Sequence, residues 1–67
     1  MNEMKASLLI MSHLSDAQEL ISRGGNSVKC ANEEINFAKF VLLRHPNLDE
    51  IVNADELWMK FSEWKNR

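Results

Sequence analysis

The chain has little of several residue types that small proteins use for stability or chemistry. Its 67 residues include one cysteine, no tyrosine, one proline and two glycines. A single cysteine, Cys30, excludes an internal disulfide, and a domain of this length buries only about 60% of the surface that its unfolded chain exposes. We therefore expect one marginally stable domain, for which a protein partner is the leading source of additional stability.

The sequence also lacks a long apolar run and a large charge of either sign. Its longest apolar runs, such as Leu8 to Met11, are far shorter than the roughly 20 residues that span a bilayer. Ten acidic and eight basic side chains give a net charge of −2, which disfavours binding to nucleic acid. The unpaired cysteine and the absence of a signal-peptide pattern predict a cytoplasmic protein without membrane insertion.

The first half of the chain has helical periodicity. Between Met4 and Ser22 the apolar residues recur every three or four positions, which is the period of one helix face. Ser15 with Gln18 has the spacing of a helix cap, so one long helix and two short ones both fit. Glycines follow Arg23 and predict the helix end. The members of this apolar row are Ile10, Leu14, Ala17 and Ile21, with Met4, Leu8 and Met11 beside it.

A second helix has the strongest periodic signal. It begins at Asn26 or Ser27 and ends before Pro46, with Arg44 and His45 in its final turn. Other apolar side chains lie beside and opposite its main stripe, so the helix is apolar around most of its circumference, which is typical of a helix in the middle of a fold. The stripe consists of Val28, Ala31, Ile35, Ala38 and Leu42.

Two Asn-x-x-Glu spacings follow, and each resembles a capping box. Asn47 is predicted to open a short helix through Val52, and Asn53 to open the last helix. The sequence thus predicts an all-α fold, a single domain over residues 1–67 built as a small bundle of three to four helices.

Candidate chemistry is sparse. Two of the three adjacent acidic pairs, Asp49/Glu50 and Asp55/Glu56, lie in the first turn of a predicted helix, where carboxylates are favoured by the helix dipole. Glu33/Glu34 would do the same if the second helix began at Asn32. Cys30, His13 and His45 have no zinc-ligand spacing, and a zinc site would need carboxylate help. A small core position explains Cys30. We therefore predict no catalytic residues, no metal, no cofactor and no enzyme.

Large apolar side chains remain in excess on the second and last helices. The segment "LWMKFSEW" holds both tryptophans, and only Leu57, Phe61 and Trp64 share one face. Burial inside the bundle is one interpretation of the remaining large side chains. The other is a patch that binds another protein or a second copy of the chain in a homodimer. The residues predicted to bind a partner are Phe40, Leu43, Trp58 and Met59, with Trp64 at the edge.

An alternative function uses the glycine turn. Asp16–Ser22 and Ser27–Leu42 have the order of a helix-turn-helix, so the chain can be interpreted as a small DNA-binding transcriptional regulator. The second helix would then present Glu33 and Glu34 to DNA, which repulsion opposes.

Three stretches, "LSDAQELI", "NEEINFAKFVLLRHP" and "NADELWMKF", resemble small cytoplasmic accessory proteins of T-even-type bacteriophages that act in lysis inhibition. The resemblance covers much of the chain without a diagnostic motif, and it carries over no individual binding residue. It implies an antiholin-type regulator in the host cytoplasm that binds the soluble part of a holin and delays lysis.

Overall fold

The computed structural model describes residues 3–66 as three helices and two short strands. The mostly helical class that the sequence predicted is confirmed. The all-α prediction is wrong in one respect, because residues 3–5 and 51–53 pair as an antiparallel two-stranded sheet. In chain order the elements are β1 (Glu3–Lys5), α1 (Ala6–Arg23), α2 (Ser27–Arg44), β2 (Ile51–Asn53) and α3 (Ala54–Lys65).

The first two helices form an antiparallel hairpin. α1 is continuous through Ser15, so the single-helix alternative is the correct one. The turn that follows has Gly24 at φ 72° and Gly25 at φ 61°, a left-handed region that favours glycine. α2 starts where predicted, although the Asn26 side chain makes no capping hydrogen bond. It ends at Arg44, two residues before Pro46, as the sequence predicted.

The segment predicted as a short helix after Asn47 is a turn followed by β2. Asn47 caps this turn locally, accepting a hydrogen bond from the Asp49 amide through its side chain. The carbonyl oxygens of Leu48 and Glu50 then accept hydrogen bonds from the amides of Ser7 and Ala6, at 3.0 and 2.8 Å. The first amides of a helix have no acceptor within that helix, and α1 lacks a side-chain cap. The carbonyls of Leu48 and Glu50 supply the missing acceptors. A helix after Asn47 would turn these carbonyls away from α1.

The core lies where α1, α2, β2 and α3 meet. It contains Phe37 and Phe61, both fully buried, whose ring centroids are 5.4 Å apart in an edge-on arrangement. α2 contacts α1 on one side and α3 on another, which confirms its predicted central position. The core cluster consists of Ala6, Leu9, Phe37, Phe40, Val41, Val52, Leu57 and Phe61.

The predicted stripe on α2 is only partly buried. Ala31 and Ala38 are buried, whereas Val28 and Leu42 are 40% and 46% exposed. The row on α1 divides in the same way: Ala17 is buried and the larger Leu14 and Ile21 are exposed. Sequence periodicity thus located the small residues at the helix contact correctly. Of the larger members, Ile10 packs against the core cluster, whereas Leu14, Ile21, Val28 and Leu42 are exposed.

The last helix follows the prediction most closely. The Asn53 side chain accepts a hydrogen bond from the Glu56 amide at 3.0 Å, and Asp55 and Glu56 lie in the first turn of α3. Asp49/Glu50, predicted to lie at a helix start, is in the turn before β2. Glu33/Glu34 is in the interior of α2, because this helix begins at Ser27 and not at Asn32. Within residues 3–66, no helix combines the length and apolarity needed to cross a membrane.

Candidate functional site

The five predicted binding residues differ widely in exposure. Phe40 is only 5% exposed, because its ring packs on Phe61 at 5.6 Å and on Trp64 at 5.7 Å between ring centroids. Leu43, three residues later, is 83% exposed. The fold therefore uses Phe40 mainly as a core residue and leaves Leu43 almost entirely in solvent.

Three of the five residues come together at one groove between α2 and α3. Phe40, Leu43 and Trp64 supply its apolar wall, and the groove encloses about 390 Å³. Phe40 and Leu43 are neighbours because residues three apart lie on the same side of a helix. The remaining lining residues are polar or cationic: Asn36, Lys39 and Arg44.

The charge at this groove is positive. The guanidinium carbon of Arg44 lies 4.6 Å from the centroid of the Phe40 ring, so a cation–π contact holds Arg44 at the mouth. Among residues 3–66, neither Lys39 nor Arg44 forms an ion pair with a carboxylate. The groove thus combines an apolar wall with two cations, Lys39 and Arg44, that have no carboxylate partner among the residues that the structure describes. This combination suits a ligand that carries a large apolar group beside negative charge.

Trp58 and Met59 lie outside this groove. Trp58 packs beside the core, with its ring 4.9 Å from Phe37 and stacked on His13 at 6.2 Å. Met59 is 65% exposed on a part of α3 that points away from the buried Leu57 and Phe61. Each residue along a helix is rotated by about 100°, so Trp58 and Trp64 lie on opposite sides of the buried face. The predicted patch is therefore divided between separate surfaces.

A second group of polar residues was not predicted from the sequence. Nδ1 of His13 contacts Oε2 of Glu34, and with Asp16 these residues offer three ligand atoms within 4.8 Å of one another. His13 and Asp16 have helical i, i+3 spacing, but Glu34 joins them only through the antiparallel packing of α1 and α2. The pairing with Glu34 and the stacking on Trp58 give His13 a structural role between the helices.

The residues considered for thiol or zinc chemistry have separate environments. Cys30 is exposed, so the prediction that it is a small core residue is wrong. His45 follows the end of α2, and its Nδ1 lies 2.9 Å from Oε2 of Glu50 in the next turn. In the described part of the chain, neither Cys30 nor His45 belongs to a group of three metal-ligating side chains.

Comparison of the chain with known protein families, characterised proteins and solved structures finds no match.

Proposed function

We propose that this protein is a small, non-enzymatic regulator that acts in the cytoplasm by binding another protein at the groove between α2 and α3. The observation that carries this proposal is the combination of a nearly fully exposed Leu43 with the cationic rim formed by Lys39 and Arg44. Burial of apolar surface is favourable, so the exposed Leu43 beside the half-exposed Trp64 offers a favourable contact for a partner.

The groove defines the chemistry of the partner. An amphipathic helix or extended segment would place one or two large apolar side chains against Phe40, Leu43 and Trp64. Acidic residues next to those side chains would then approach Lys39 and Arg44, which increases the association rate and fixes orientation. The partner segment is therefore expected to be apolar and acidic.

The resemblance to lysis-inhibition accessory proteins suggests one such partner. In that case the chain acts as an antiholin-type protein of a bacteriophage, and the groove binds the soluble domain of a holin in the host cytoplasm. Occupancy of that domain would delay lysis without any chemical step.

Binding can be measured through Trp64, which lines the groove. In a Trp58→Phe background Trp64 is the remaining tryptophan, and titration with the soluble domain of a T-even-type holin is expected to change its emission. Leu43→Glu should weaken binding at least about tenfold, since it places a carboxylate on the apolar wall. Met59→Glu is the matched control, because Met59 is also exposed but lies outside the groove.

The outcomes of this titration are distinct. Equal loss of affinity in Leu43→Glu and Met59→Glu would contradict binding at the groove. If the protein with Leu43 unchanged does not bind the holin domain, the antiholin proposal is wrong. Gel-shift titration at low salt tests the DNA-binding alternative in parallel, because phosphate attraction is strongest there.

A further inference from the structure

A second apolar surface lies on the α1/α2 hairpin, away from α3. It is formed by the large members of the two apolar rows on α1 and α2, except Ile10, which packs against the core cluster. We call this surface the back face. Four of its five residues are between 40% and 52% exposed, and Ile35 is half-buried. The back face consists of Leu14, Ile21, Val28, Ile35 and Leu42.

The core does not use this surface, because it lies on another side of the hairpin. On α2 the side chains that meet α3 are Phe37 and Phe40, whereas Ile35 is rotated by about 160° from Phe37 at 100° per residue. On α1, His13 stacks on Trp58 of α3, and Leu14 is one residue further round the helix. On α2 the back face therefore lies opposite α3, and on α1 it is rotated by about 100° from the side that meets α3.

The rows also lie beside each other. The chain reverses direction at Gly24 and Gly25, and Leu14 and Ile35 are equally far from this turn in sequence, so they lie at about the same level of the hairpin. One heptad further towards the turn, the same antiparallel register places Ile21 beside Val28. The back face is thus one continuous surface that crosses both helices.

The spacing of the back face is that of an interhelical contact. Val28, Ile35 and Leu42 are seven residues apart, as are Leu14 and Ile21, and the intervening positions include the buried Ala17, Ala31 and Ala38. The alanines allow α1 and α2 to approach closely. The larger residues of the back face remain available to pack on helices of another chain. Two hairpins that contact each other in this way form a four-helix bundle.

Charge and size are compatible with a second copy as the occupant. By helical spacing, the positions that border the back face on α1 and α2 include Gln18, Asn32 and one charged residue, Lys39. Two copies would therefore meet with little like-charge repulsion. The face is about 20 Å long and about 20 Å wide. Two such faces in contact would bury on the order of 1,000 Å², the lower end for a specific interface.

From these observations we propose that the protein forms a homodimer through the back face, as a four-helix bundle of two α1/α2 hairpins. The groove at Leu43 is a different surface, so this proposal does not depend on holin binding. Lys39 lies between the two surfaces on α2.

Sedimentation over a wide concentration range tests the proposal. The experiment uses a Cys30→Ser background, because Cys30 is exposed and a disulfide between copies would imitate association. A reversible dimer with a dissociation constant in roughly the micromolar range is expected. The double variant Leu14→Glu/Val28→Glu should raise this dissociation constant at least about tenfold, and Met59→Glu should leave it unchanged.

A charge-swap experiment makes the test independent of any effect on folding. Leu14→Lys/Val28→Lys should be monomeric alone, and mixing it with the glutamate double variant should restore association as a heterodimer. A parent protein that stays monomeric up to millimolar concentration would overturn the proposal. A dimer that persists in both double variants would also overturn it, because association would then use another surface.

Discussion

Phe37 and Leu43 illustrate how two apolar residues on one helix acquire opposite roles. Phe37 is fully buried, and rings of His13, Trp58 and Phe61 surround it. Leu43 is 83% exposed at the groove. Sequence alone places both on a helix that is apolar around most of its circumference, and only the position of α3 distinguishes the core residue from the surface residue.

We therefore expect truncation at these two positions to affect stability very differently. Phe37→Ala should lower the free energy of unfolding by about 3–5 kcal/mol, enough to unfold much of a domain this small. Leu43→Ala should change it by about 0.5 kcal/mol or less, because little packing is lost. Urea denaturation followed by circular dichroism measures both, and equal losses would show that Leu43 is packed in solution.

The helices themselves were largely predictable, because their signals are local. Repeated apolar spacing, the glycine turn and Pro46 define α1 and α2, and Asn53 defines the start of α3. The segment after Asn47 was not predictable in the same way, since its cap-like spacing fits a turn equally well. Its non-helical conformation is stabilised by hydrogen bonds from the amides of Ala6 and Ser7, about 40 residues away in sequence.

Two asparagines that precede helices, Asn53 before α3 and Asn26 before α2, provide a matched pair of variants. Asn53→Ala should destabilise the protein by about 1 kcal/mol, because the Glu56 amide loses its hydrogen-bond acceptor. Asn26→Ala should have a much smaller effect, since the Asn26 side chain caps nothing at α2. Chemical denaturation of the two variants under one condition compares them, and a larger loss for Asn26→Ala would contradict the capping assignment.

The molecule as a whole has more large apolar side chains than its core buries, and the remaining ones lie on several separate surfaces. The candidate site was predicted only in part for this reason: Phe40, Leu43 and Trp64 converge, whereas Trp58 and Met59 lie elsewhere. Periodicity shows which residues share a helix face, but it does not show which face meets a neighbouring helix. The back face shows the same limit, because its residues belong to the periodic rows and yet lie outside the core cluster.

Self-association at the back face would make thermal stability depend on protein concentration. For a dimer that unfolds to monomers, each tenfold increase in concentration should raise Tm by about 3 °C or more. The Leu14→Glu/Val28→Glu variant should show a Tm that is independent of concentration. Differential scanning calorimetry at several concentrations measures this, and a constant Tm in the parent protein would argue against a dimeric native state.

The hydrogen bonds from Ala6 and Ser7 to the segment before β2 also bear on how the molecule opens. Most amides in α1 donate to carbonyls of the same helix, so their hydrogen exchange reports on local helix opening. The amides of Ala6 and Ser7 donate instead to Glu50 and Leu48, which belong to a segment distant in sequence. Their exchange rates therefore report on detachment of the C-terminal part of the fold from the helical hairpin, even while both hairpin helices remain intact.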